Sequence, residues 1–119
     1  ITTQECLNVI KKLKLKKINA GVLHNHTIKP FDKKNLIKFV KNTKLVVTVE
    51  EHIVSGGLGS LVLETLNLFN SSSIKNLLRI GINDTFVKKY GSQKDLLDYC
   101  GLSEKKIFSK VIKRYYEST

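Results

Sequence analysis

One stretch of this chain gathers side chains that can move protons or hold anions: Glu50-Glu51-His52-Ile53-Val54-Ser55-Gly56-Gly57-Leu58-Gly59-Ser60. Two carboxylates and an imidazole end an apolar run, and a glycine-rich turn then opens a helix. Glycine lets a backbone turn sharply and approach a neighbour. Free N–H groups at a helix start can bind an anion. A carboxylate beside an imidazole can orient it as a general base, which is one chemistry open to Glu51 and His52. A plainer reading uses the same residues: the glycines let a helix pack closely, and the acids cap or solvate the turn. The dinucleotide fingerprint is incomplete, because Val62 stands where the third glycine of Gly57-x-Gly59-x-x-Gly belongs. No Gly-Lys-Ser/Thr follows, so a P-loop is excluded. Glu51, His52, Ser55, Gly56, Gly57, Gly59 and Ser60 are therefore a candidate anion or interface turn, with the plainer reading favoured. No residue is assigned as catalytic, cofactor-binding or metal-ligating.

Other candidates carry less. His24-x-His26 can put two rings on one side of a strand, but no third metal ligand is near in sequence, so hydrogen-bonded histidines are the preferred reading. Cys6 and Cys100 form neither a CxxC pair nor a disulfide framework. Both read as small buried hydrophobes in a reducing compartment. Glu64 and Asp84 fall on a helix and a loop with nothing to pair them. Tyr115 and Tyr116, near the end of the last helix, read as packing or an interface rim.

The elements that must position the turn follow from periodicity. Cys6, Leu7, Val9, Ile10 and Leu13 recur with helical spacing over residues 4–16. Residues 18–24 (INAGVLH) read as a short buried strand. Asp32 caps a helix over 33–42. Residues 44–50 are β-branched and nearly continuous, as in a strand covered on both faces. A helix runs from the glycine turn to about Phe69, a turn occupies 70–73, and 77–82 is a third strand. Ser92 caps a helix over 93–100, with Gly101 as its C′ residue. Ser103 caps a last helix striped by Ile107, Phe108, Val111, Ile112 and Tyr115. Strand–helix–strand–helix–strand makes two βαβ units, hence a parallel sheet with helices on both faces.

Composition bounds the rest. The 119 residues fit one domain, 1–119, able to bury a core without a staple. With 41% hydrophobic and 26% charged residues, and only 8 Gly and Pro, the chain is globular rather than disordered. Its longest apolar runs are far short of the roughly twenty residues of a membrane span. No leader is visible, and the absence of methionine suggests a piece of a longer product, with a first strand upstream of residue 1. The net charge of +11 comes from 19 lysines and only two arginines, Arg79 and Arg114. Scattered lysines without an aromatic platform read as a solvated surface, not a specific nucleic-acid site.

Several segments, in order, resemble one family: Thr27-Ile28-Lys29-Pro30-Phe31-Asp32, Val47-Thr48-Val49-Glu50-Glu51-His52, Gly56-Gly57-Leu58-Gly59-Ser60 with Glu64-x-Leu66, Gly81-Ile82-x-Asp84-x-Phe86, Tyr90-Gly91-Ser92, and Tyr99-x-Gly101-Leu102. Together they are similar to the C-terminal domain of the transketolase family over nearly the whole chain. They particularly resemble transketolase itself and the C-terminal halves of split transketolases, with 1-deoxy-D-xylulose-5-phosphate synthase as a near relative. The resemblance implies an α/β fold: three α/β/α layers around a mixed, mainly parallel five-strand sheet. It also implies a cytoplasmic enzyme that moves a two-carbon ketol unit between sugar phosphates. Thiamine diphosphate and magnesium would be held by the pyrimidine-binding and cofactor-binding domains, outside this chain. This chain would bind neither, would be inert alone, and would serve architecture and dimer contacts. Its implied partners are those remaining domains or an N-terminal subunit, within a homodimer. A reading of a different class is a free-standing α/β module that binds an anion at the Gly56–Ser60 turn.

Overall fold

A computed structural model describes residues 1–72 and 76–119. Seven elements follow one another: α1 (Thr2–Leu15), α2 (Lys33–Val40), β1 (Val46–Ile53), α3 (Leu58–Leu68), β2 (Leu77–Ile82), α4 (Gln93–Tyr99) and α5 (Glu104–Glu117). The five expected helices and the strands at 44–50 and 77–82 are present, with boundaries moved by a few residues. Of the turn expected at 70–73, Ser73 lies outside the described residues.

The sheet corrects the expectation. Among the described residues it has two strands, β1 and β2, running parallel, rather than five. Residues 18–24 are not a strand. Ile18 and Ala20 pack into one hydrophobic cluster and Leu23 into the other. Apolar contacts therefore hold this run on both sides of the sheet with no ladder of backbone hydrogen bonds. Only one βαβ unit, β1–α3–β2, remains of the two expected.

Strand alternation divides the core. Val47 and Val49 of β1, with Leu78, Ile80 and Ile82 of β2, face a cluster built on Val9, Leu13, Leu97, Leu102, Ile107 and Val111. Val46 and Leu77 face the opposite cluster, with Leu36, Val40, Val62 and Leu66. Thus α1, α4 and α5 cover one face, α2 and α3 the other. Period-two side-chain direction in the strands and 3.6-residue periodicity in the helices account for both layers.

Three helices stop in the same way. After α1, α3 and α4 the chain enters a left-handed residue: Lys17 (φ 58°), Asn70 (φ 49°) and Gly101 (φ 79°). In each case the next two N–H groups return to the last turn. Gly101 N–H reaches the Asp98 carbonyl at 3.0 Å, and Leu102 N–H reaches the Leu97 carbonyl at 2.8 Å. This satisfies carbonyls the helix leaves open and turns fully buried Leu102 onto the core.

Helix starts use carboxylates. Asp32 accepts from Asn35 N–H, as expected. Ser92 and Asp95 form a reciprocal capping box on α4. At α5 the expectation fails: Ser103 holds the N-cap position, but its hydroxyl donates to Asp98 Oδ1 at 2.6 Å. The α5 N-terminus is served instead by Glu5 of α1, which accepts from Glu104 N–H at 2.7 Å.

Candidate functional site

The turn between β1 and α3 is built on a residue outside the expected set. Glu50 lies on the same face of β1 as Val46 and Thr48, so its side chain runs under α3. It is 7% exposed. Its carboxylate accepts two main-chain hydrogen bonds from the first turn of α3: Leu58 N–H to Oε2 at 2.7 Å and Gly59 N–H to Oε1 at 2.9 Å. A buried carboxylate thus occupies the positive end of α3, where charge and donors both favour an anion.

Gly57 and Gly59 make room for this arrangement. A Cβ on Gly57 would lie 1.9 Å from Glu50 Oε2, and one on Gly59 would lie 2.8 Å from Arg79 Nε and 2.9 Å from Thr48 Oγ1. The strands show the same fit. Val49 pairs with Ile80 and Ile53 with Ile82, so β1 takes four steps where β2 takes two. The extra residues form a bulge that carries Glu50, Glu51 and His52. Gly81 sits opposite, where a Cβ would meet the His52 carbonyl oxygen at 2.8 Å.

Arg79 closes the turn from β2. Its Nη2 donates to the Val54 carbonyl and, at 2.8 Å, to Ser60 Oγ. Ser60 Oγ in turn accepts from Gly56 N–H at 2.9 Å. Gly56 is left-handed (φ 77°), the conformation that suits glycine. Two buried polar atoms beneath Gly59, Thr48 Oγ1 and Arg79 Nε, have no hydrogen-bond partner.

Of the expected residues, Gly56, Gly57, Gly59 and Ser60 come together in this turn. Glu51, His52 and Ser55 are exposed at its edge. The Glu51–His52 pairing is not made. His52 Nδ1 donates to the Ile53 carbonyl at 2.7 Å, since a carbonyl can only accept, and it lies 4.0 Å from Glu50 Oε2. Glu50 stands outside the candidate set, but its cap on α3 is the role that the plainer reading gives to the acids. Arg79 has no role in that reading, although signals exist for both. Alternation from Val46 through Thr48 points Glu50 inward, and Arg79 is one of two arginines and interrupts an apolar strand.

The remaining candidates are apart. His24 pairs with Thr3 Oγ1 at 2.8 Å and His26 with Thr27 Oγ1 at 2.6 Å, which turns each ring to its own hydroxyl. Among the described residues no three His, Cys, Asp or Glu side chains group to hold a metal ion. Both cysteines are free, and burial, with Glu5 nearby, pushes the Cys6 thiol up. The Leu58 and Gly59 N–H groups, which a phosphate would meet at the start of α3, already serve Glu50.

Residues 1–107 match the family described as "Transketolase, C-terminal domain". The chain belongs to that family. It is 40% identical over 108 residues to the "Putative transketolase C-terminal section" of Methanocaldococcus jannaschii, covering 91% of this chain and 32% of that protein. It is 41% identical over 111 residues to 1-deoxy-D-xylulose-5-phosphate synthase of Blochmanniella pennsylvanica, covering 92% of this chain and 16% of the enzyme. The synthase of Caldanaerobacter subterraneus is 33% identical over 100 residues, covering 84% of this chain and again 16% of the enzyme. A solved structure titled "Split gene transketolase, inactive beta4 tetramer" superimposes with a TM-score of 0.85 at 33% identity, over 100% of this chain and 38% of that one. This transketolase C-terminal domain thus spans only 13% to 32% of the length of such curated relatives. None of its described helices is long and apolar enough to cross a membrane.

Proposed function

We propose that this chain is the C-terminal part of a thiamine-diphosphate-dependent ketol transferase of the transketolase type, that it is inert alone, and that it serves architecture and subunit contacts. The observation that carries this reading is the use of Glu50. The only buried carboxylate of the candidate turn is spent on two helix N–H groups, and His52 is tied to its own main chain. Neither is poised toward a substrate. The likeness to a split-gene transketolase along the whole chain supports the same reading. Thiamine diphosphate and magnesium then belong to the domains outside this chain. When bound there, the cofactor supplies the carbanion chemistry of two-carbon transfer, while this chain's residues hold the fold that those domains rest on.

The identities to 1-deoxy-D-xylulose-5-phosphate synthases favour a second reading, the C-terminal part of such a synthase. A free-standing anion-binding module is the weaker choice, because Glu50 already occupies the donors of Leu58 and Gly59.

Reconstitution tests both. The chain is combined with a polypeptide carrying the remaining transketolase-type domains, thiamine diphosphate and magnesium. Transfer from a ketose phosphate to an aldose phosphate is expected only in the mixture. Formation of 1-deoxy-D-xylulose 5-phosphate instead selects the second reading. Micromolar binding of thiamine diphosphate by this chain alone overturns both.

A further inference from the structure

Resting on that reading, we propose that the segment joining β2 to α4, residues 83–91, is the face that docks on the remaining part of the enzyme. Its partner is a protein surface with apolar hollows and a net acidic character. Phe86 is 93% and Tyr90 98% exposed, and Val87 between them is also exposed. Other exposed apolar residues, such as Leu15 and Leu68, sit on separate helices. Here three fall within five consecutive positions. Two aromatic rings left almost wholly in water on one short segment are the composition of an interface anchor rather than of a solvated loop.

The segment is also placed to present them. It leaves the sheet at Ile82, whose carbonyl accepts from Val54 N–H at 3.1 Å, and the paired Ile53 is exposed beside it. Its far end is fixed by the Ser92–Asp95 capping box and by Lys89, whose Nζ lies 5.8 Å from the Tyr99 ring. Both ends are therefore anchored while the apolar middle stands clear of the body, so little ordering remains to be done on binding.

Charge selects the occupant. Lys88 and Lys89 outweigh Asp84 on the segment, and the whole chain carries +11. A second copy would bring the same charge to the same face, whereas an acidic partner is drawn toward it. The chain covers 16% of the synthases and 38% of the split transketolase chain. Most of the surface of such enzymes therefore lies outside the part matched here.

The test is a titration of this chain against the polypeptide carrying the remaining transketolase-type domains, followed by calorimetry. Phe86→Ser with Tyr90→Ser is expected to weaken binding at least tenfold, with thermal unfolding unchanged. Leu15→Ser, the loss of a well-exposed apolar side chain elsewhere, is expected to change it less than twofold. Lys88→Glu is expected to slow association and to flatten its salt dependence. Equal affinity of the double variant and the native chain overturns the docking face but leaves the proposed function standing. No binding by the native chain overturns both. A native chain that self-associates through this segment, and loses that on Phe86→Ser with Tyr90→Ser, overturns the choice of partner.

Discussion

Two connections leave the same end of the parallel pair, and they are opposites. The one after β1 folds back under α3 and is tied from within: Glu50 holds Leu58 and Gly59 N–H, and Arg79 holds Val54 and Ser60. The one after β2, residues 83–91, leaves Phe86 and Tyr90 in water. The first has a glycine wherever a side chain would collide; the second has aromatics where nothing demands them. A site whose polar groups, Thr48 Oγ1 and Arg79 Nε apart, are tied to one another is built for stability. A site whose apolar groups lack cover is built for a partner. The glycine motif, which draws the eye in the sequence, belongs to the first kind.

The sharpest way to break this contrast is a side chain at Gly57. Its Cβ would lie 1.9 Å from Glu50 Oε2, so the carboxylate must leave its place and both helix donors lose their acceptor. Gly57→Val is expected to destabilise by about 3 kcal/mol, within the range of losing a buried hydrogen-bonded cap and crowding a packed site. Urea unfolding measures it. Phe86→Ser, a larger change in side-chain volume, is expected within about 0.5 kcal/mol of the native chain, as for a surface position. Comparable losses at the two positions would mean that the segment after β2 packs in the fold after all.

Much of this was legible beforehand, and the gaps have physical causes. Helices α1, α3 and α5 announce themselves through apolar periodicity, and α2 and α4 through Asp32, Ser92 and Gly101, local chemistry confined to a few residues. The two strands are visible because Val46, Val47 and Val49, with Leu77, Leu78 and Ile80, must be covered on both faces. Failures arise where the deciding partner is distant in sequence. Glu5 caps α5 from 99 positions away, which no local pattern encodes. Residues 18–24 have strand composition, but a strand needs a neighbour, and Leu23 is drawn to the opposite cluster from Ile18 and Ala20. In the candidate turn, the glycines are explicit in the sequence. Their reason, a carboxylate arriving from the bulged end of β1, becomes apparent only when β1 and β2 are paired.

A milder change probes the buried carboxylate itself. Glu50→Gln keeps the shape of the side chain but presents an amide NH2 to one of the two N–H donors. One main-chain donor at the α3 start is then left without an acceptor, and the remaining bond loses its ionic character. A loss of about 1–2 kcal/mol is expected from such an unmet donor. Because the fold survives, reconstituted ketol-transfer activity at a temperature well below unfolding should stay within twofold of native. A hundredfold fall in the chemical step with assembly intact would make Glu50 a participant in the reaction and reverse the assignment of this turn to stability.

The smallest expected effect lies where the exposed segment rejoins the fold. At the start of α4 the Ser92 hydroxyl and N–H both hydrogen-bond Asp95 Oδ2, at 2.6 and 3.1 Å. These bonds, the hydroxyl first, hold the Asp95 carboxyl below its ordinary value of 3.8. The folded chain therefore takes up this proton less readily than the unfolded chain does. The resulting stability is present above the unfolded carboxylate range and fades as pH falls through the lowered folded value. Asp95 is fully exposed, so solvent screening keeps the contribution small. Asp95→Asn should leave a modest, flat deficit in melting temperature at neutral pH, and the deficit should narrow as the pH drops below 3.8. Asp98, lowered chiefly by the Ser103 hydroxyl, titrates in both proteins and cancels in the difference. A deficit that stays constant into acid would show that the capping box works by shape rather than by charge. The anchoring of residues 83–91 would then be independent of pH, unlike any docking that draws on the neighbouring lysines and an acidic partner.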